Sequence, residues 1–144
     1  MLMRRFIRSQ SFSPPEGGYG SADMEAEGFE PIEYDSRTVG WFWVPEPNES
    51  IVVLFHGNGE NALEYASAFD DLLQPFAAAI GLAEYRGYMG GDEALPSRSD
   101  ELIDDGVALA KTFQSDAGAR GCPIVLWGRS LGGAVAAELA RDSS

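Results

Sequence analysis

The chain has 144 residues, 44% of them hydrophobic, and a formal net charge of -13 from 23 acidic against 10 basic side chains. That is room for one domain with one core, and it is too apolar for a disordered chain. The acidic balance excludes a surface built for nucleic-acid phosphates or anionic membranes, the single cysteine excludes an internal disulfide, and no apolar run approaches the roughly 20 residues that stable insertion in a bilayer requires.

Residues 1–30 mix Ser, Pro, Gly and charge without a sustained period and read as a flexible leader, with 31–144 as the domain. Arg4, Arg5 and Arg8, with no acid before Glu16, give this start a faint likeness to an organelle transit peptide; otherwise the chain reads as cytoplasmic. From Pro31 the pattern changes. Ile32, Tyr34, Val39, Trp41, Trp43 and Val44 fall in two short runs broken at Asp35-Ser36-Arg37, which predicts a strand pair at a sheet edge. Residues 51–55 (IVVLF) are a continuous run of β-formers, expected of a strand buried on both faces of a parallel sheet.

A helix is predicted next, from Leu63, Tyr65, Phe69, Leu72, Leu73 and Phe76. Residues 77–85 read as a second buried strand. Leu102, Ile103, Val107, Ala110 and Phe113 mark a helix between Leu95 and Gly118, with Ser99, Asp100 and Glu101 at its positive end. A third short strand covers 123–127, and an alanine-rich helix follows over 134–140. Strand and helix alternate, so the fold class is α/β, a mostly parallel sheet with helices on both faces.

Two motifs carry chemistry. Gly128-Arg129-Ser130-Leu131-Gly132 fits G-x-S-x-G, a pattern that occurs readily by chance in a glycine-rich chain. Its context is specific: an apolar strand leads into it and a helix leaves it, the setting of a nucleophile elbow. Such a turn strains the serine backbone and needs small neighbours, here Gly128, Gly132 and Gly133. Ser130 is the candidate nucleophile. The second motif is His56-Gly57-Asn58-Gly59 after the first buried strand. An acyl-transfer intermediate carries an oxyanion that needs two preorganised N–H donors. The backbone N–H groups of Leu131 and Asn58 are the candidates, with His56, Gly57 and Gly59 supporting the loop. The bland alternatives are a glycine-rich turn with an incidental serine and a capped strand-to-helix loop.

Residues 55–59, 85–88 (Tyr-Arg-Gly-Tyr) and 128–133 together resemble the α/β-hydrolase superfamily, in its serine aminopeptidase-like, abhydrolase-domain branch. The resemblance covers roughly residues 32–142, and its strand crossover implies that 77–85 and 123–127 lie on opposite sides of 51–55. It implies a serine hydrolase acting on a small ester, thioester or amide through an acyl-enzyme, with no cofactor and no metal. It also implies an acid and a histidine after the nucleophile helix, in the order Ser, Asp or Glu, His. Only His56 is present, ahead of the nucleophile. The chain therefore reads as the N-terminal half of such a domain, a partial α/β-hydrolase fold with C-terminal strands and two triad members missing. Asp92, Glu93, Asp100, Asp104 and Asp105 precede the serine and are expected to face solvent. The competing reading is an inactive, fold-derived interaction module. In either case the strand at 123–127 becomes an edge through which the chain could self-associate.

Overall fold

Two strands buried along their whole length form the centre of the molecule, β3 (Ile51–Phe55) and β4 (Ala79–Ala83). The computed structural model describes residues 12–44, 50–68, 71, 78–96, 98–120 and 123–142. Strand side chains alternate between faces, so each strand serves two cores. Ile51, Val53, Phe55, Ala79 and Ala83 meet α3 (Ser99–Arg120) and α4 (Leu131–Asp142) through Leu102, Leu109, Phe113, Val135 and Leu139. Val52, Leu54, Ile80 and Leu82 face the other way, onto Met24 of α1 (Ser21–Ala26) and Ala62, Tyr65 and Ala66 of α2 (Ala62–Ser67). Helices thus cover both faces, as the apolar runs required.

The sheet has five strands in the order β1-β2-β4-β3-β5. Strands β4, β3 and β5 (Ile124–Gly128) are mutually parallel, with β4 and β5 on opposite sides of β3. That is the expected crossover. The expected strand pair is β1 (Glu30–Tyr34) and β2 (Arg37–Trp43), an antiparallel hairpin whose second strand also runs antiparallel to β4. Its turn is two residues rather than three: Asp35 and Ser36 take φ of 53° and 60°, the positive values that a tight turn needs at both centres to match strand twist. Arg37 already belongs to β2.

Element ends differ from expectation in two places. Helix α3 runs through Gly118 to Arg120. Helix α4 begins at Leu131, directly after the candidate nucleophile. Of the helix expected over 63–76, α2 supplies the first turns; Phe69, Leu72, Leu73 and Phe76 lie outside the described residues. At the far edge β5 is less covered than β3, and Val125 is 49% exposed.

The stretch read as a leader carries structure over its second half. Met24 and Phe29 are fully buried, and the Tyr19 N–H donates to the Met89 carbonyl at 2.9 Å. A six-residue helix is too short to show a period, so only its burial against β1 and α2 reveals it. Met24→Ala should therefore destabilise the fold by about 2–4 kcal/mol, as core truncations do. Urea denaturation measures this, and a leader free of the domain would give no change.

Asp105 corrects another expectation. It is 2% exposed rather than solvent-facing. Its carboxylate accepts from Arg37 Nη2 at 2.5 Å. It also accepts from the Arg86 N–H at 3.1 Å, Nε at 3.1 Å and Nη2 at 2.6 Å. Two guanidiniums from distant points of the chain compensate its burial. That grip holds the loop after β4 against α3, and it raises Arg86 above the ordinary arginine value, chiefly through the hydrogen bonds Arg86 donates to Asp105.

Candidate active site

Both motifs end parallel strands, so the sheet brings them to one edge. Strand β3 leads into residues 56–60 and neighbouring β5 leads into 129–131. The two are stitched together by the Arg129 N–H, which donates to the Phe55 carbonyl at 3.1 Å. Open parallel sheets gather ligands at this carboxyl end.

Ser130 sits in the turn between β5 and α4 with φ of 52°. A left-handed backbone costs a non-glycine residue about 1–3 kcal/mol and persists only when its surroundings enforce it. Close packing enforces it here. A Cβ on Gly132 would fall on the Phe55 carbonyl oxygen, and one on Gly128 would fall on the Gly132 carbonyl. Gly133 has looser clearance, 3.3 Å to the Gly128 oxygen. Only glycine at 128 and 132 lets the turn close onto β3. Ser130 is exposed and Leu131 is buried. As the first residue of α4, Leu131 carries one of the N–H groups that a helix leaves without an intrahelical acceptor.

The loop after β3 is held from beneath by His56. Its ring is fully buried, packed 4.4 Å from the Tyr85 ring and 5.4 Å from that of Tyr88. Nδ1 lies 2.8 Å from the Gly57 carbonyl and Nε2 lies 2.6 Å from Glu84. Both ring nitrogens are thus committed, and neither is available to take a proton from Ser130. Gly59 turns the chain at φ 87°. The Asn58 side-chain oxygen accepts from the Tyr88 hydroxyl at 2.7 Å and the Ser13 N–H at 2.9 Å. Burial, first of all, pushes Tyr88 up to about 12, so it remains a donor throughout the neutral range.

A cavity of about 690 Å³ opens beside Ser130 and Arg129, walled by Leu54, Tyr65, Trp127 and the carboxylates of Glu60 and Glu64. Glu60 ties the two motifs together. Its Oε2 accepts from the Gly57 N–H at 2.8 Å and the Tyr65 hydroxyl at 2.6 Å, while Oε1 pairs with Arg129.

Residues 46–144 match the Hydrolase_4 family, described as serine aminopeptidase, S33. The chain belongs to this family of α/β-hydrolases. Among curated relatives, the S33 chain is 33% identical over 95 residues to the multifunctional-autoprocessing repeats-in-toxin of Vibrio cholerae serotype O1, covering 66% of this chain and 2% of that protein. The Vibrio vulnificus toxin of the same name is 33% identical over 91 residues, covering 63% and 2%. The α/β-hydrolase domain-containing protein WAV2 of Arabidopsis thaliana is 29% identical over 109 residues, covering 74% and 35%. The chain thus spans a small part of the toxins and about a third of WAV2. A solved structure, a cold-adapted esterase from an Arctic intertidal metagenomic library, superposes with a TM-score of 0.47 at 21% identity, covering 74% of this chain and 51% of that one.

Three residues around the candidate site escaped sequence reading. Glu60 and Glu84 gave no signal beyond being acids in an acidic chain, and Tyr19 lay in the supposed leader. Glu84 is 1% exposed. Its two oxygens accept from His56 Nε2, the Tyr85 N–H, the Ala62 N–H and the Tyr19 hydroxyl. Such complete satisfaction is what a buried carboxylate requires. Among the described residues no group of His, Cys, Asp or Glu is arranged to hold a metal ion, and no helix is long and apolar enough to cross a membrane.

Proposed function

We propose that this chain supplies the nucleophile and oxyanion hole of a serine hydrolase that cleaves a small-molecule ester, thioester or amide through an acyl-enzyme on Ser130. The observation that carries this is the strained Ser130 backbone at φ 52° in a strand-to-helix turn, packed against the loop that bears Asn58. Asp35 and Ser36 owe their positive φ to a two-residue hairpin turn, whereas Ser130 carries its strain at the carboxyl end of the parallel strands, where ligands gather and where strain points to function. In this reading the Ser130 hydroxyl attacks the carbonyl carbon. The N–H groups of Leu131 and Asn58 receive the oxyanion. The N-terminus of α4 adds its partial positive charge. Serine needs a base to take its proton. With His56 committed to Gly57 and Glu84, that base and its orienting acid come from residues other than those described. Covalent labelling tests the nucleophile. A fluorophosphonate probe should modify Ser130, located by peptide mass spectrometry, in a protein that carries these residues together with a downstream acid and histidine. Labelling elsewhere, or undiminished in Ser130→Ala, would overturn the assignment.

A second reading has its own support. Val125 is 49% exposed on edge strand β5, and an open edge favours pairing with another chain. An inactive module that self-associates through β5 would give a dimer by sedimentation, dispersed by a charged substitution at Val125.

A further inference from the structure

Residues 12–19 lie outside the stretch matched by the S33 family, which begins at residue 46. Yet they touch the candidate oxyanion loop at two separate points. At the first, the Ser13 N–H reaches the Asn58 side-chain oxygen at 2.9 Å, alongside the Tyr88 hydroxyl at 2.7 Å. Asn58 is therefore gripped from both sides. At the second, Tyr19 closes a buried relay. Trp41 Nε1 donates to the Tyr19 hydroxyl at 3.0 Å, and that hydroxyl donates to Glu84. Glu84 in turn holds His56 Nε2 at 2.6 Å, and His56 opens the loop. Between these points the segment runs tight against residues 89–90. Gly18 has φ of 44°, and a Cβ there would stand 2.5 Å from the Met89 carbonyl oxygen.

We propose that residues 12–19 form a strap that positions the Asn58 loop, with the Ser13 amide and the Tyr19 hydroxyl as its two pins. The functional meaning rests on Asn58 being an oxyanion donor, the reading given above. The strap itself rests only on the hydrogen bonds. Its logic is preorganisation: a donor aimed at developing charge works only if it is fixed beforehand. A peptide whose side chain is clamped, and whose loop is anchored by a buried ring, cannot turn away. Burial first, then the Glu84 charge, drive Tyr19 well above the ordinary tyrosine value, so its hydroxyl keeps the proton it donates. These are positioning residues, since none of them touches substrate.

The chain's single histidine makes the test clean. In a sample of residues 1–144 labelled with ¹⁵N-histidine, the ring signals report His56 alone. Tyr19→Phe removes one hydroxyl and should shift those signals. It should also speed amide exchange across residues 57–60 by about tenfold, the scale of one lost hydrogen bond, while β3 and β4 keep their protection. Ser13→Pro removes one N–H from a segment already followed by two prolines. It should move the Asn58 side-chain amide signal and loosen the same loop without shifting the His56 ring. Unchanged loop exchange in both variants would overturn the strap. So would acceleration spread evenly over every strand, which marks general destabilisation. Neither readout involves chemistry. If both come out as expected while an active, longer form keeps its turnover after Ser130→Ala, the hydrolase reading falls and the strap stands.

Discussion

Replacing Ser130 with alanine should cut ester turnover by about 10⁴-fold or more in an active enzyme that contains this chain, as loss of a triad nucleophile does. The same substitution in residues 1–144 alone should change almost nothing. The reason is the proton. A serine hydroxyl attacks slowly until a base removes its hydrogen, and the only histidine faces Gly57 and Glu84 with both nitrogens. The isolated chain should therefore hydrolyse a p-nitrophenyl ester at a trace rate, set by the proposed oxyanion donors and by ordinary surface nucleophiles. Initial rates of four proteins decide it: the short and long forms, each with and without Ser130. Fast turnover by residues 1–144 that disappears with Ser130→Ala would refute the reading and point to a base delivered by a second chain.

Gly132→Ala should destabilise the fold by about 4 kcal/mol or more, among the largest effects of a single substitution. The added Cβ would fall on the Phe55 carbonyl oxygen, with the His56 oxygen 2.6 Å away. These are backbone atoms of the central strand and its exit, so no side chain can swing aside. The Phe55 carbonyl also accepts the Arg129 N–H, and moving it breaks the bond between the two site loops. Against a total stability of about 5–15 kcal/mol for a domain, such a loss removes a large share. Chemical denaturation of Gly132→Ala beside Gly133→Ala checks the geometry, because a Cβ at 133 would have 3.3 Å to its nearest neighbour and should be far milder. Equal losses at the two positions would mean that the turn relaxes and that the close approach is not what holds Ser130 in place.

Much of this molecule was legible in order along the chain. The run Ile51–Phe55 showed a strand buried on both faces because every position in it is an apolar β-former. The fall of Gly128, Ser130 and Gly132 between an apolar strand and an alanine-rich stretch located the strained turn, since a strained serine needs those small neighbours. These are local properties: a continuous run of apolar β-formers and the steric size of adjacent residues are written in consecutive letters.

Other features depended on partners far away in sequence. Asp105 looked like one more surface acid until Arg37 and Arg86 converged on it across 68 and 19 residues. Glu84 became a hub only because β4 ends beside His56 and beneath Tyr19, 28 and 65 residues away. Glu60 acquired its role when β3 and β5 set Arg129 against it. The segment 12–29, polar and irregular to read, is held by Met24 and Phe29 in a core that it does little to build. Local sequence determined the strands, the turn and the strained serine, because propensity and steric fit act between neighbours. The tertiary structure alone decided which carboxylates are buried and what steadies the Asn58 loop, because compensating a charge or pinning a loop needs groups that only the folded sheet brings together.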